Sequence, residues 1–246
     1  MRLQKYLASI GYGSRRKIED WIRDKRIKVN GKCIDLGYKV KKNDKISIDD
    51  KKVILTRINR SHKHIIYNKP DDEICTRYDE KNRRTVYESL PKLNKQRWIS
   101  VGRLDLTTTG LLIFTTDGDL ANKLMHPSSG IIREYIVRVF GNPTSDEINI
   151  LQRGVQLDDG MARFHSINHI SKKKKLNSWF KVAISEGRNR EIKRIWDTIG
   201  YKVNRLMRVS YGPIVLPRAL KKRKYSHLSL QNTQALYDYI NTLGES

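Results

Sequence analysis

The sequence is poor in cysteine, has no long apolar run, and has too few acids for its bases. Its two cysteines, Cys33 and Cys75, can build neither a zinc site by themselves nor a disulfide framework. The longest unbroken apolar run is the four residues from Leu111 to Phe114, far short of a bilayer span. The first residues, Met1 to Tyr6, lack the apolar stretch and cleavage site of a secretory signal. No basic amphipathic helix or lipidation motif stands out either, and the chain reads as cytosolic. The phosphate-binding pattern GxxxxGKS/T, the dinucleotide pattern GxGxxG and the zinc pattern HExxH are all missing. Nothing therefore points to a nucleotide cofactor or a catalytic metal. His62 and His64 are two apart in a polar stretch, where solvated histidines are a plainer reading than metal ligands.

What is present in excess is positive charge. Lys and Arg number 50 against 26 Asp and Glu, a formal net charge of +24 over 246 residues. Self-repulsion of that size disfavours a compact state unless a polyanion relieves it. Nucleic acid fits, because Lys and Arg displace counterions from phosphates. Lysine-rich composition bias is the bland alternative. With 38% hydrophobic residues the chain can still bury a core, so it is globular rather than a disordered basic tail.

The charge is uneven. Residues 1–62 hold 18 Lys and Arg against 7 Asp and Glu. Leu3, Leu7 and Ile10 follow helical spacing until Gly11 and Gly13 break it. Ser14 can cap a second helix with Ile18, Trp21 and Ile22 on its apolar face. Its first turn carries Arg15, Arg16 and Lys17, three cations at the positive end of a helix, which the macrodipole disfavours. That arrangement suggests a phosphate site. Asn30-Gly31 between alternating residues signals a hairpin. The expectation is a small two-helix-plus-hairpin module over residues 1–50, a polar linker over 51–62, and a larger domain over 63–246. In the larger part, strands are expected at 64–67, 98–101, 111–115, 132–140 and 179–184. Helices are expected at 120–125, 145–151, 192–199 and 228–243. Tyr135, Val137 and Val139 should share one face of their strand. The fold class is α+β, with a mixed, mainly antiparallel sheet flanked by helices. Lys172 to Lys175 reads as a solvated loop.

Two segments could carry chemistry. In Val101-Gly102-Arg103-Leu104-Asp105-Leu106-Thr107-Thr108-Thr109-Gly110, a carboxylate sits between an apolar strand and a Thr-Gly turn, where active-site loops lie. Asp105 either serves the chemistry or only organises the turn through the Thr amides. In the second segment, Arg188, Arg190, Lys193 and Arg194 crowd a loop and a helix start. They read either as phosphate contacts or as a solvated basic face. A metal-dependent nuclease would need clustered carboxylates. The adjacent pairs Asp71-Asp72 and Asp158-Asp159 lie instead in turn-like sequence.

Residues 2–46 resemble an S4 domain, a module that binds structured RNA. The stretches VGRLDLTTTGLLIFTTDGDLANKLMHP, REYIVRV and EGRNREIKRIWDTIGYKVNRLMRVSYGPIVLP together resemble the RNA pseudouridine synthases of the branch that modifies ribosomal RNA. An S4 domain preceding the catalytic domain is that branch's arrangement. The resemblance implies a uridine-to-pseudouridine isomerase without a cofactor, acting on 23S ribosomal RNA or a large-subunit assembly particle. The neighbouring subgroup acts on 16S RNA, and a non-catalytic assembly factor is the rival class. The chain would act as a monomer, away from membranes. Asp105 matches the catalytic aspartate, Tyr135 the tyrosine that packs on the target base, and Lys193 the basic partner of the aspartate. Arg103 matches the residue that fills the gap left by a flipped nucleotide, and Leu206 an apolar residue of the base pocket. Asp72 stands where the family often has Gly, which puts the geometry of that turn in question.

Overall fold

A computed structural model of the chain describes residues 1–54, 61–94, 96–170 and 176–243. The run 172–175 and half of the stretch expected as a linker, 55–60, lie outside the described residues. The chain forms two compact units.

The first unit comprises Met1–Lys63, Pro91–Ile99 and Thr116–Gly118. Its helices are α1 (Leu3–Ser9) and α2 (Arg15–Arg23), and its strands are β1 (Ile27–Val29), β2 (Lys32–Cys33), β3 (Ile46–Ile48) and β4 (Lys51–Lys52), ordered β2-β1-β3-β4. The Ser14 hydroxyl accepts the Lys17 amide at 3.0 Å and caps α2. Asn30 and Gly31 both take positive φ, 52° and 81°, the paired left-handed turn of a two-residue hairpin. Asp49 and Asp50 repeat it at 49° and 61°, held by Arg26 and Lys28. This second turn folds the chain back into β4 and buries Val53. The module therefore runs past residue 50, and the expected linker loses its first residues to the sheet. Lys63 and Thr116 exchange hydrogen bonds, which draws 116–118 into this unit. The core joins Leu3, Leu7, Ile18 and Ile22 of the helices to Ile27 and Ile46 of the sheet. Buried Asp44 ties the intervening loop by accepting from the Asn30 amide, the Tyr38 hydroxyl and the Lys41 N–H.

The second unit is built on one large sheet. Its elements are β5 (His64–Lys69), β6 (Ile99–Val101), β7 (Thr108–Thr115), α3 (Gly118–Met125), β8 (Arg133–Phe140), α4 (Ser145–Arg153), β9 (Val155–Leu157), β10 (Gly160–Ala162), β11 (Ser166–His169), β12 (Asn177–Ile184), α5 (Glu191–Asp197), β13 (Val203–Tyr211), β14 (Ile214–Val215), β15 (Tyr225–His227) and α6 (Leu230–Leu243). The sheet runs β11-β12-β8-β13-β7-β5-β15, and β9 and β10 form a separate ribbon. Its strand pairs are antiparallel except β7 with β13, so the mixed, mainly antiparallel expectation holds. Tyr135, Val137 and Val139 are buried on one face of β8, as alternation requires. His64 is not a solvated histidine. It is buried in β5 and bonded to Thr115. Helix α5 stops at Asp197, short of Ile199, and buries Trp196 against Phe180 at a ring-centroid distance of 4.9 Å. Helix α4 starts from a reciprocal cap between Thr144 and Glu147, a T-x-x-E signature present in the sequence. No helix among the described residues is long and apolar enough to cross a membrane.

The parallel contact between β7 and β13 depends on Gly110. Its φ is +100°, and a Cβ there would lie 2.3 Å from the Arg208 carbonyl oxygen. Gly110→Ala should therefore force the two strands apart as well as strain its own backbone. The expected loss is at least about 3 kcal/mol, read as a lower denaturation midpoint in guanidinium titration. A midpoint equal to that of the wild type would show that the strands tolerate a methyl group between them.

Candidate active site

The turn that carries Asp105 is organised around a lysine. Lys69, the last residue of β5, is fully buried. Its Nζ donates to the carbonyl oxygens of Pro70 (2.9 Å), Asp105 (3.1 Å), Leu106 (3.0 Å) and Thr108 (3.1 Å). An ammonium has three N–H groups, so four carbonyls saturate it. Burial pulls the Lys69 pKa down. The carbonyl cage opposes that pull, because a neutral amine would turn a lone pair toward oxygen. The turn closes with the Thr108 N–H donating to the Asp105 carbonyl at 3.1 Å. One residue earlier, the Leu104 N–H donates to the Cys75 sulfur at 3.4 Å.

This wiring bears on the two readings of Asp105. The turn is held by main-chain carbonyls and a buried ammonium, so it does not need the carboxylate. Asp105 is half-buried, and its charge is felt by Lys193. The Lys193 Nζ donates to the Thr107 hydroxyl at 2.8 Å, which anchors it on the same turn. Burial, with Arg190 nearby, lowers the Lys193 pKa, and Asp105 opposes that shift.

The sheet brings the remaining site residues alongside. In the register, Tyr135 of β8 faces Arg208 of β13, which faces Gly110 of β7. The adjacent row is Val137, Leu206 and Thr108. Directly opposed residues share a face, so Tyr135 and Leu206 lie on one side of the sheet beside the strand that leaves the Asp105 turn. Both are buried. Arg103 is exposed, next to Gly102 with its φ of +75°. Arg15, Arg16 and Lys17 are exposed on α2 of the first unit, where the Lys17 ammonium lies 5.2 Å from the Trp21 ring centre.

Two arginines read as phosphate contacts have other partners. Arg194 grips both oxygens of Asp159, at 2.9 and 2.8 Å. Arg188 bonds Glu186, Asp159 and the Gly160 and Met161 carbonyls. These bonds pin the β9–β10 turn to α5 and so fix the helix that carries Lys193. Arg188 and Arg194, expected as phosphate contacts, are thus engaged with acids and carbonyls of the protein itself. Arg190 remains exposed, in a left-handed conformation at the head of α5. Asp72 pairs with Arg223, which holds its carboxyl below the usual range. Its φ is not among the positive values, so no glycine is required there. Among the described residues, no three of His, Cys, Asp and Glu are grouped to hold a metal.

Sequence reasoning missed Lys69 and Arg208. Arg208 is buried, donates to the Leu111 carbonyl at 2.8 Å, and has one Nη without a hydrogen-bond partner.

The sequence pattern of the RNA pseudouridylate synthase family matches residues 63–197. The chain belongs to that family. Asp105, Tyr135, Lys193 and the Lys69 cage all lie within the matched segment of the synthase, and the S4 domain pattern matches residues 1–46. A ribosomal large subunit pseudouridine synthase B of Yersinia pestis is 46% identical over 245 residues, covering 97% of this chain and 76% of that protein. One from Buchnera aphidicola subsp. Schizaphis graminum is 48% identical over 243 residues, covering 98% and 95%. A solved pseudouridylate synthase superposes with a TM-score of 0.66 at 24% identity, over 96% of this chain and 99% of that one, and shares its fold.

Lys69→Met keeps the apolar stem and removes the ammonium. Each buried carbonyl left without a partner costs about 1–3 kcal/mol. The variant should melt lower and lose turnover together, because the Asp105 turn slackens. A differential scan and a single-turnover assay check both. Unchanged turnover in a destabilised protein would deny Lys69 any part in positioning.

Proposed function

We propose that this synthase converts one uridine of 23S ribosomal RNA to pseudouridine. The observation that carries the chemistry is a half-buried Asp105 carboxylate on a turn that does not need it, with Lys193 held on the same turn. The large-subunit target follows the names of its relatives, which cover nearly the whole chain. Net charge supplies phosphate affinity, with Arg15, Arg16 and Lys17 on the S4 unit and Arg190 beside the site. The chain acts in the cytoplasm as a monomer.

The target base must first leave its stack, at a cost of a few kcal/mol. Arg103, exposed one residue past Gly102, fills the space it vacates. Tyr135 packs on the flipped uracil and Leu206 borders it, which offsets part of that cost. Asp105 then acts as an anion on the nucleotide, with the Lys193 amine held on the same turn through Thr107. The C1′–N1 bond breaks, uracil turns, and C1′ joins C5. The C5 proton leaves and N1 gains one, so atoms balance without a redox partner. Tyr135 lies next to the base for that last proton transfer.

Asp105→Asn should lower product formation by about 100- to 10,000-fold or more, while the protein still binds RNA. The check is a carbodiimide stop map of 23S and 16S transcripts. A 23S stop that survives in the variant would remove Asp105 from the chemistry, and a 16S stop would move the target to the small subunit. A second expectation concerns pH. Burial lowers the Lys193 pKa, so its charge is lost as pH rises, earlier than for a free lysine, and the rate should fall there. Lys193→Arg cannot deprotonate in that range. Its single-turnover profile should lose the alkaline limb, and an unchanged limb would assign the titration to another group.

A further inference from the structure

A single aromatic ring stands outside the protein on a loop that is otherwise tightly bonded. Tyr78 is 78% exposed. The loop around it is closed at its base, where the Ile74 N–H donates to the Arg84 carbonyl and the Val86 N–H donates to the Ile74 carbonyl, each at 3.0 Å. Below that base the fully buried Glu73 accepts from Tyr67 and Ser89 and pairs with Arg84 and Arg223. At the tip, Asp79 accepts the Arg83 N–H at 2.8 Å and its guanidinium at 2.7 Å. The Thr76 hydroxyl donates to the Tyr78 carbonyl at 2.8 Å. Arg77 lies over the Tyr87 ring, 4.2 Å from its centre. The residues on either side of Tyr78 are thus anchored, while its own ring faces water.

We propose that Tyr78 is a stacking platform for an unpaired base of the RNA that donates the target uridine. The proposal rests on the reading that this substrate is RNA. A rigid loop loses little entropy on binding, and an exposed ring offers a face that any base can cover. The same loop carries Arg77, Lys81, Arg83 and Arg84 against Asp79 and Glu80, an excess of positive charge next to Tyr78 in sequence, which draws phosphate and disfavours a basic partner. Position ties the ring to the reaction. Cys75, three residues before Tyr78, accepts the N–H of Leu104, the neighbour of Asp105. Three extended residues span at most about 11 Å. A base on Tyr78 therefore lies close along the strand to the reacting uridine. Stacking there holds a neighbour of the flipped nucleotide out of the helix and selects for an unpaired loop.

The test measures binding of the full chain to a 23S transcript over a salt series, for the wild type, Tyr78→Ala and Tyr78→Trp. Loss of stacking should weaken Kd about 5- to 100-fold in Tyr78→Ala. The slope of log K against log salt should stay parallel to the wild type, since no phosphate contact is lost. Tyr78→Trp should bind like the wild type. Wild-type affinity in Tyr78→Ala overturns the proposal and leaves the ring to a protein partner. A shallower slope also overturns it, by assigning the ring a phosphate contact, and so does equal weakness of the Ala and Trp variants. Melting temperature serves as the control for folding. Pseudouridine formation by the wild type is scored separately, so a failure of the RNA-substrate reading is distinguishable from a failure of Tyr78.

Discussion

One buried ammonium organises the centre of the catalytic unit. Lys69 sits at the end of β5 and binds the carbonyl of Asp105 and those of Leu106 and Thr108 after it. A turn made only of local hydrogen bonds would have used that carboxylate itself. By holding the turn through its main chain, Lys69 leaves the acid available. The cost is a desolvated charge, which only a full set of acceptors makes tolerable. Everything else at the site is arranged relative to that turn. Lys193 reaches it through Thr107, Leu206 runs alongside it on β13, and Tyr135 lies one strand further on.

A second layer of charge keeps α5 where Lys193 can reach. Asp159 of the β9–β10 turn holds Arg194 and Arg188. Arg188 also spans to Glu186. The basic segment at 188–194 thus divides by role. Some of its cations bind the protein to itself, and others face outward. In a chain with a net charge of +24, the few acids are placed where they fix geometry. Asp44 shapes the S4 unit, Glu73 supports the Tyr78 loop, and Asp159 anchors α5.

Local signals were legible in the sequence. Ser14 caps its helix, Asn30-Gly31 makes its hairpin, and Tyr135, Val137 and Val139 share a buried face. The motif around Asp105 is visible as a carboxylate in a loop, but the way its turn is held is not, because that depends on Lys69. Lys69 itself reads as a surface lysine before a Pro-Asp-Asp turn. Its acceptors lie about forty residues on, beyond any local pattern. Arg188 and Arg194 show the same limit. Sequence displays a cation but not the acid that claims it, here about thirty residues upstream. The strand at Lys51–Lys52 was hidden because Asp49 and Asp50 do not look like a hairpin turn until both adopt positive φ.

The parallel pairing of β7 with β13 has a consequence for how the protein is made. It joins Thr108 to Leu206, residues separated by nearly a hundred positions. The S4 core closes among residues 3 to 53. On a ribosome that emits the chain from its N-terminus, the S4 core is complete long before the strand that carries Asp105's turn has its parallel partner. A nascent chain would carry a folded S4 unit beside an unfinished sheet, so competence to modify arrives as one of the last events of synthesis.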